Sequence, residues 1–323
     1  MKKMLLVLAF IVFSVQNLNA ELISRVLGDC PNFSQTSNGN FLAVVSRDYG
    51  RGAKAGALVE FFYPLYARDH LWDAYNGIYM NGRLSWLHDL RLVGQSMPDD
   101  TGIVTSEFCT ADGKLSIVTS DVALRDSDTL VRHLEITNNS KERVDDLRVF
   151  FYEHFTVNYL GTGDVVRFDQ KSRTILHGGK DVHFTIGSDI PADQWQIGKV
   201  GSTWITNHDA RLDAEDGRLR GHMHERGMLD MGVNGALGHT FRGLKPGERL
   251  AINYFISAGR SLDESWKSFH LAKSRLWNEI LTSEAGFWNG WLGKAKELVG
   301  ADERTRRVYR RALITLKQNT ADN

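Results

Sequence analysis

The stretch YARDHLWDAY, which begins at Tyr66, holds the densest group of side chains suited to a polyhydroxylated ligand. An aromatic ring at Tyr66 or Trp72 can stack on the apolar face of a pyranose, and Arg68, His70 and Asp73 can exchange hydrogen bonds with its hydroxyl groups. The same composition also suits a loop that orders itself and docks on a neighbouring domain. The stretch therefore predicts a carbohydrate-binding site, with the docking loop as the alternative.

A second polar motif, HMHERG, begins at His222. His222 and His224 would point to the same side of a strand and can share a metal ion, with Glu225 on the opposite face. His208 and His239 lie nearby in the sequence but add no third ligand at a characteristic spacing. We therefore expect a polar strand edge or loop here, and we expect neither a metal ion nor a cofactor.

Other candidate groups are weaker. Gly161 and Gly163 in NYLGTGD faintly resemble a phosphate-binding loop, but such a loop needs a helix directly after it, and the following VVRFD has the pattern of a strand. A turn is the better prediction. Glu107, Glu153 and Glu225 carry carboxylates, yet their spacing favours no acid–base pair. The sequence thus indicates no catalytic residue.

Residues 41 to 257 alternate apolar and polar side chains with a period of two, and turn residues separate the runs. This pattern is typical of strands. Asn81-Gly82 and Asp112-Gly113 supply the positive φ angles that tight hairpins need. Because no helix-length segment interrupts the runs, their apolar faces can be buried only against another sheet. The pattern predicts two large antiparallel sheets packed face to face.

After Gly259 the pattern becomes helical. Ser261 is a candidate N-cap with Glu264 three residues later. A second predicted helix ends at Gly300 and a third begins near Asp302. The change predicts a domain boundary near residues 258–262. The apolar side of the first predicted helix comprises Trp266, Phe269, Leu276 and Ile280. We expect four tryptophans to pack between the sheets and a further domain, namely Trp266, Trp277, Trp288 and Trp291.

The first 20 residues differ from the rest, with Lys2 and Lys3, an apolar run and a small residue at Ala20. This arrangement is typical of a secretory signal peptide, and the run is short for a membrane span. We expect a secreted or periplasmic protein without a membrane span after cleavage; an uncleaved anchor is the alternative. In such a compartment Cys30 and Cys109 can pair, but the sequence leaves this open.

The charge composition does not favour a polyanionic partner. Lys plus Arg and Asp plus Glu both number 39. No net attraction therefore draws the chain to nucleic acid or to an anionic membrane. A neutral partner fits better.

Four segments, taken together and in order, carry a family resemblance. They are SNGNFLAVVSRDYG, FFYPLYARDHLWDAYNGIYMNGRLSWL, DTLVRHLEITNNSKERVDDLRVFFYEHFTVNYLGTGDVVRFD and VYRRALITLKQNTADN. They resemble the opening strand, the tyrosine-proline turn with its hairpin, the next meander and the first barrel helix of glycoside hydrolase family 15. This is the family of bacterial and archaeal glucoamylase-type enzymes.

The resemblance implies a mainly β fold. It implies a large antiparallel two-sheet super-sandwich, galactose-mutarotase-like, followed by a C-terminal α-helical linker and the start of an (α/α)6 barrel. The implied organisation is a signal peptide at 1–20, a super-sandwich at 21–260, linker helices at 261–300 and a first barrel helix at 301–323.

Enzymes of this family release glucose from the non-reducing end of α-glucans with inversion. They use two barrel glutamates, an acid and a base, separated by about 6.5–9.5 Å. The resemblance places both beyond Asn323, so we expect this chain to be inactive alone. Its expected partners are an α-glucan or oligosaccharide and a catalytic barrel, in the same or a separate chain. The alternatives are a carbohydrate-binding protein that does not hydrolyse its ligand and an assembly module.

Overall fold

The computed structural model describes six stretches of the chain, and the predicted signal peptide and Cys30 lie outside them. The stretches are 33–47, 54–65, 67–158, 162–200, 208–227 and 232–321. Their strands in chain order are β1 (Phe33–Ser37), β2 (Leu42–Ser46), β3 (Leu58–Phe62), β4 (Leu71–Met80), β5 (Arg83–Trp86), β6 (Arg91–Ser96), β7 (Val104–Cys109), β8 (Leu115–Ala123), β9 (Thr129–Asn138), β10 (Leu147–Phe155), β11 (Val165–Asp169), β12 (Thr174–Gly178), β13 (His183–Ser188), β14 (Gln194–Lys199), β15 (His224–Arg226), β16 (Val233–Phe241) and β17 (Arg249–Gly259).

These strands form two sheets, which confirms the mainly β architecture predicted from the alternating pattern. The first sheet has the order β1-β2-β3-β4-β10-β16-β14, with β5 paired to β4. The second sheet has the order β15-β11-β12-β13-β17-β9-β8-β7-β6. The strand pairings in both sheets are antiparallel.

The main core lies between the sheets, because successive residues of a strand point to opposite faces. On β10, Val149, Phe151 and Phe155 belong to this core. Tyr152 faces the other way and packs in a smaller cluster on the outer face of the first sheet. By the same alternation His154 also lies on that outer face. Burial of apolar area at about 25 cal/mol per Å² makes the inter-sheet core the main source of stability.

Both predicted hairpin turns are present. Asn81 and Gly82 join β4 to β5 with φ angles of 54° and 79°. Gly113 has a φ of 69° in the turn between β7 and β8, where Asp112 Oδ1 accepts the Lys114 N–H at 3.1 Å. A side chain with a Cβ at Gly82 or Gly113 would be strained in these conformations.

The helices follow the strands, apart from a short helix before β15. They are α1 (Ala210–Asp213), α2 (Leu262–Lys273), α3 (Trp277–Leu292) and α4 (Glu303–Gln318). Two 3₁₀ turns span Leu87–Asp89 and Ala214–Asp216. None of the helices in these stretches is long and apolar enough to cross a membrane.

The expected cap of the first long helix is present, since Ser261 Oγ accepts the Glu264 N–H at 3.2 Å. The expected continuous helix through Ile280 is wrong, because α2 ends at Lys273. Leu276 is extended, with a ψ of 148°, and its N–H donates to Glu279 Oε2 at 3.0 Å. This local bond starts a new helix, which leaves Leu276 70% exposed instead of buried.

The tryptophans of the helices pack within the described chain. Trp266 and Trp277 contact the cluster on the outer face of the second sheet. Trp288 is fully buried and donates its indole N–H to Glu284 Oε1 at 2.5 Å, and Trp291 packs beside it. Their expected packing against a further domain stays a prediction.

Candidate functional site

An irregularity in β4 brings Trp72 to the surface of the first sheet. Asp73 pairs with His154 whereas Leu71 pairs with Phe155, so the register shifts between these two β10 residues. Trp72 is thus the extra residue of a β-bulge, a feature that re-aims a side chain. Its indole is 65% exposed and stacks on the imidazole of His154, with ring centroids 5.9 Å apart and planes at 12°. The exposed indole surface can accept the apolar face of a sugar ring.

The other predicted site residues lie in different surroundings. Tyr66 lies outside the described residues. His70 is buried, and its Nε2 donates to the carbonyl oxygen of Tyr63 at 2.8 Å. Arg68 is half-buried. Burial raises the pKa of Asp164, and the positive charge of Arg68 offsets part of this increase. The structure therefore places Trp72 and Asp73 side by side, whereas His70 is buried and supports the fold.

Asp73 belongs to a polar network beside Trp72. Its carboxylate forms an ion pair with Lys54. Lys54 Nζ lies 3.3 Å from the Tyr75 hydroxyl and 4.4 Å from the centre of that ring. The Tyr75 ring meets the imidazole of His88 edge-on, with centroids 4.7 Å apart. Burial and the charge of Asp73 raise the pKa of Tyr75, so its hydroxyl stays protonated.

A second carboxylate is oriented on the neighbouring β16 and α1. Asp209 Oδ1 accepts the Arg211 N–H at 2.9 Å, which caps α1, and accepts the side-chain amide of Asn234 at 3.0 Å. The Asn234 amide nitrogen also lies 3.4 Å from the Tyr152 hydroxyl. Because Tyr152 pairs with Tyr75 across the β4–β10 ladder, the two polar groups share the outer face of the first sheet.

His154 connects the network to Trp72. Burial lowers its pKa to about 4, despite the opposing effect of Asp73, so the imidazole is neutral at neutral pH. Its Nε2 is buried without a hydrogen-bond partner among the described residues. A Cβ at Gly232 would collide with this nitrogen, so a glycine is needed beside the ring.

The charges of this face are balanced. Lys54 and Arg211 supply two cations, and Asp73 and Asp209 supply two carboxylates. Each carboxylate is already held by the contacts described above, so neither is set up as a general acid or base. The arrangement therefore favours binding of a neutral ligand through stacking and hydrogen bonds. We call this region the Trp72 face. It comprises the exposed Trp72, the half-buried Lys54, Asp73, His154 and Arg211, and the buried Tyr75, Tyr152, Asp209 and Asn234.

Most of the Trp72 face was not predictable from the spacing of its residues. The sequence predicts Tyr152 and His154 only as part of a strand. Their alternation in β10 places them on one face, and this was the available signal. Their pairing with β4 and the bulge at Trp72 appear only in the folded sheet, as do the positions of Lys54 and Asp209.

The histidine motif forms a stack instead of a metal site. The rings of His208 and His222 lie 4.1 Å apart at 7°, and those of His222 and His224 lie 5.9 Å apart. Burial lowers the pKa of His222, and the charge of His208 adds to this effect. Glu225 pairs with Lys199 at 3.4 Å. Within the described stretches, no group of three or more suitable side chains could hold a metal ion.

The three candidate glutamates are not brought together. Glu107 is exposed on β7, and Glu225 lies on β15, near the opposite end of the second sheet. Glu153 is buried between the sheets, where its Oε1 accepts a hydrogen bond from His177 Nε2 at 2.8 Å. Cys109 is buried, and its sulfur accepts hydrogen bonds from Arg91 at 2.9 and 3.1 Å. Its pairing with Cys30 stays a prediction.

Comparison with known proteins shows a shared fold at low sequence identity. A bacterial glucoamylase in complex with acarbose matches 89% of this chain with a TM-score of 0.70 and 12% identity. A putative kojibiose phosphorylase from the human microbiome matches 88% with a TM-score of 0.57 and 9% identity. A family GH92 alpha-mannosidase from Bacteroides thetaiotaomicron matches 86% with a TM-score of 0.51 and 15% identity.

The chain spans only part of these proteins, namely 40%, 39% and 38% of their respective lengths. No protein-family model and no curated protein sequence matches the chain. The similarity therefore establishes the sandwich-and-helix fold.

Proposed function

We propose that this chain is the carbohydrate-binding sandwich and linker module of a glucoamylase-like glycoside hydrolase. In this proposal the Trp72 face binds an α-glucan or a related α-glucoside. The observation that carries the proposal is the exposed indole of Trp72, held on a β-bulge beside a charge-balanced polar network. The fold shared with a bacterial glucoamylase over 89% of the chain supports the same reading.

The finer parts of the proposal concern the whole enzyme. Residues 21–260 form its super-sandwich, 261–300 its linker helices and 301–323 the first helix of a barrel of the family 15 type. The barrel, in the same or a separate chain, carries the two glutamates that hydrolyse the α-glucan with inversion. A signal peptide at residues 1–20 directs the protein out of the cytoplasm. This chain alone is inactive, and no residue described above is assigned to catalysis.

A second candidate function, assembly with the barrel, is favoured by the exposed side of α4. Val308 and Leu316 are 64% and 65% exposed, and Ala312 lies between them at intervals of four residues. Residues four apart lie on the same side of a helix, so the three form a small apolar stripe. In the proposed enzyme this stripe contacts the barrel.

Electrophoresis in native gels with and without soluble starch tests the proposal. We expect starch to retard the chain and Trp72→Ala to remove the retardation. Leu276→Ala, at another exposed apolar residue, is the matched control and should migrate like the parent. A glucose-release assay on maltooligosaccharides should detect no product. Unretarded migration of the parent would refute binding, and glucose release by the chain alone would refute the absence of catalysis.

A further inference from the structure

A cleft of about 510 Å³ opens on the second sheet, away from the Trp72 face. Its floor follows the ends of β11, β12 and β13, where Val165 pairs with Gly178 and Gly178 pairs with His183. A Cβ at Gly178 would lie 3.3 Å from His183 Nδ1, so the missing side chain keeps the floor open. Leu262, the first residue of α2, lines another wall.

The cleft combines an apolar lining with two unmatched cations. Val165, Leu176 and Leu262 supply apolar walls, and Arg167 and Lys180 stand at its rim. Both cations are exposed, and neither side chain donates a hydrogen bond or forms an ion pair within the described stretches. Other arginines of the described chain, such as Arg125 and Arg132, pair with carboxylates.

The carboxylates near the cleft have other partners. Asp164 is buried, and its oxygens accept the N–H groups of Val157 at 2.8 Å and Asn158 at 2.6 Å. Asp169 accepts hydrogen bonds from Ser172, which lower its pKa, and Arg167 adds only a smaller effect. Asp181 is exposed beside Lys180 in the sequence and reduces the local positive charge.

The polar groups suit a small anionic ligand. The volume of the cleft falls within the range of about 300–1,000 Å³ that is usual for small-molecule sites. Such sites typically have an apolar lining with a few polar groups, as this cleft does. The Arg167 guanidinium can bind a carboxylate or phosphate with two parallel hydrogen bonds, and Lys180 adds a point charge. The side chains of Asn158 and His183 can contact hydroxyl groups of the same ligand.

We propose that this cleft is a second binding site, which takes a sugar bearing a carboxylate or a phosphate group. Arg167 and Lys180 bind the anion, and the ring lies over Gly178 between Val165 and Leu262. Gly163, from the glycine pair noted in the sequence, also lines the cleft. The site is independent of the proposed glucan binding on the first sheet.

Titration calorimetry with four probes tests this site: D-glucuronate, D-glucose 6-phosphate, inorganic phosphate and neutral D-glucose. We expect the anionic sugars to bind more tightly than glucose, with affinity that falls as salt rises. Arg167→Gln and Lys180→Gln should each weaken anion binding by about tenfold, because a hydrogen bond to a charged group is lost. If glucuronate and glucose 6-phosphate differ, the tighter probe identifies the anion.

Three variants distinguish a specific binding site from nonspecific electrostatic attraction of the anion to the protein. Gly178→Ala keeps every charge but fills the floor, so it should also weaken binding of the anionic sugars. Arg249→Gln removes an exposed cation elsewhere on the second sheet and should have no effect. Trp72→Ala should leave this site unchanged, which distinguishes it from the proposed glucan site. Equal affinities for all variants, equal affinity for glucose, or no detectable anion binding would overturn the proposal.

Discussion

At the scale of single residues, the exposed Trp72 stacks on the imidazole of His154. Burial lowers the pKa of His154 to about 4 from its usual 6.5, and it has the same effect on His88. A charged imidazole at either position would be poorly solvated. Protonation of either side chain should therefore destabilise the Trp72 face at low pH.

Acidification should destabilise the fold through His154. The His154 imidazole binds a proton near pH 6.5 in the unfolded chain but only near pH 4 in the folded chain. The unfolded state therefore binds more protons between these two pH values. The free energy of unfolding should therefore decrease as pH falls through this window, by up to about 1.4 kcal/mol per pH unit for each such histidine. Urea denaturation at several pH values between 7 and 5 measures this slope.

His154→Gln should make the decrease shallower, because it removes one of the groups. His224→Gln, at an exposed histidine, is the control and should keep the parent slope. An unchanged slope in His154→Gln would contradict the assignment.

Sequence inspection found Trp72 and Asp73 because aromatic and charged side chains are concentrated there. It grouped them with His70, which the fold turns inward to Tyr63. Strand alternation alone would have placed Trp72 on the opposite side from Asp73. Only the bulge brings both to one face, and a bulge depends on the pairing partner, which sequence does not specify.

At the scale of elements, arginine side chains attach α4 to the sandwich. Arg311 donates to the carbonyl oxygens of Met97 at 3.1 Å, Pro98 at 2.8 Å and Thr101 at 2.8 Å. These carbonyls belong to the loop between β6 and β7. The neighbouring Arg310 pairs with Asp100 at 2.6 Å. The loop therefore holds α4 against the sandwich.

Arg311→Met should loosen α4 without unfolding the sheets, because it keeps the length of the side chain but removes these hydrogen bonds. Each hydrogen bond to a charged group contributes about 1.5–3 kcal/mol. Amide hydrogen exchange in α4 should accelerate by about tenfold or more, with β9 unchanged. Arg306→Met, at an exposed arginine, should leave exchange in α4 near the parent rate. Equal exchange rates in both variants would argue against the attachment.

Local signals predicted the turns and caps well. Asn81-Gly82 and Ser261 act through contacts within a few residues, which a sequence displays directly. The break at Leu276 was missed because it depends on a competing local bond to Glu279 within an otherwise periodic helical pattern. Element type is thus easier to predict than the point at which one helix ends and the next begins.

At the scale of the whole molecule, a buried polar pair joins the two sheets. Glu153 on β10 and His177 on β12 share a hydrogen bond of 2.8 Å, and both side chains are fully buried. Glu153 Oε2 and His177 Nδ1 have no further partner among the described residues. Burial raises the pKa of Glu153, and His177 offsets part of that increase. Removal of either partner would leave a polar group unpaired in the core.

Glu153→Ala should therefore reduce the free energy of unfolding by about 3–5 kcal/mol. The double variant Glu153→Leu with His177→Phe removes both polar groups and should recover most of that loss, because apolar replacements of buried pairs are often neutral. Urea denaturation measures both values. A single-variant loss below about 1 kcal/mol would show that the pair is unimportant for stability.

The two-sheet architecture followed from the alternating pattern, since helix-free apolar faces have few ways to be buried. The order of strands did not follow, because β4 pairs with β10 and β17 with β9 across long stretches of sequence. Such pairings depend on the whole core and not on local preference. The composition of the Trp72 face, built from β4, β10, β16 and α1, was unpredictable for the same reason.

The carbohydrate-binding role of the Trp72 face is tested most directly by titrating the chain with maltooligosaccharides and measuring the change in tryptophan fluorescence. We predict a saturable change with the parent protein, a weakened one with Trp72→Phe, and none with Trp72→Ala, since stacking on an aromatic face contributes most of the contact. Unchanged binding in a folded Trp72→Ala variant would contradict the assignment of this face.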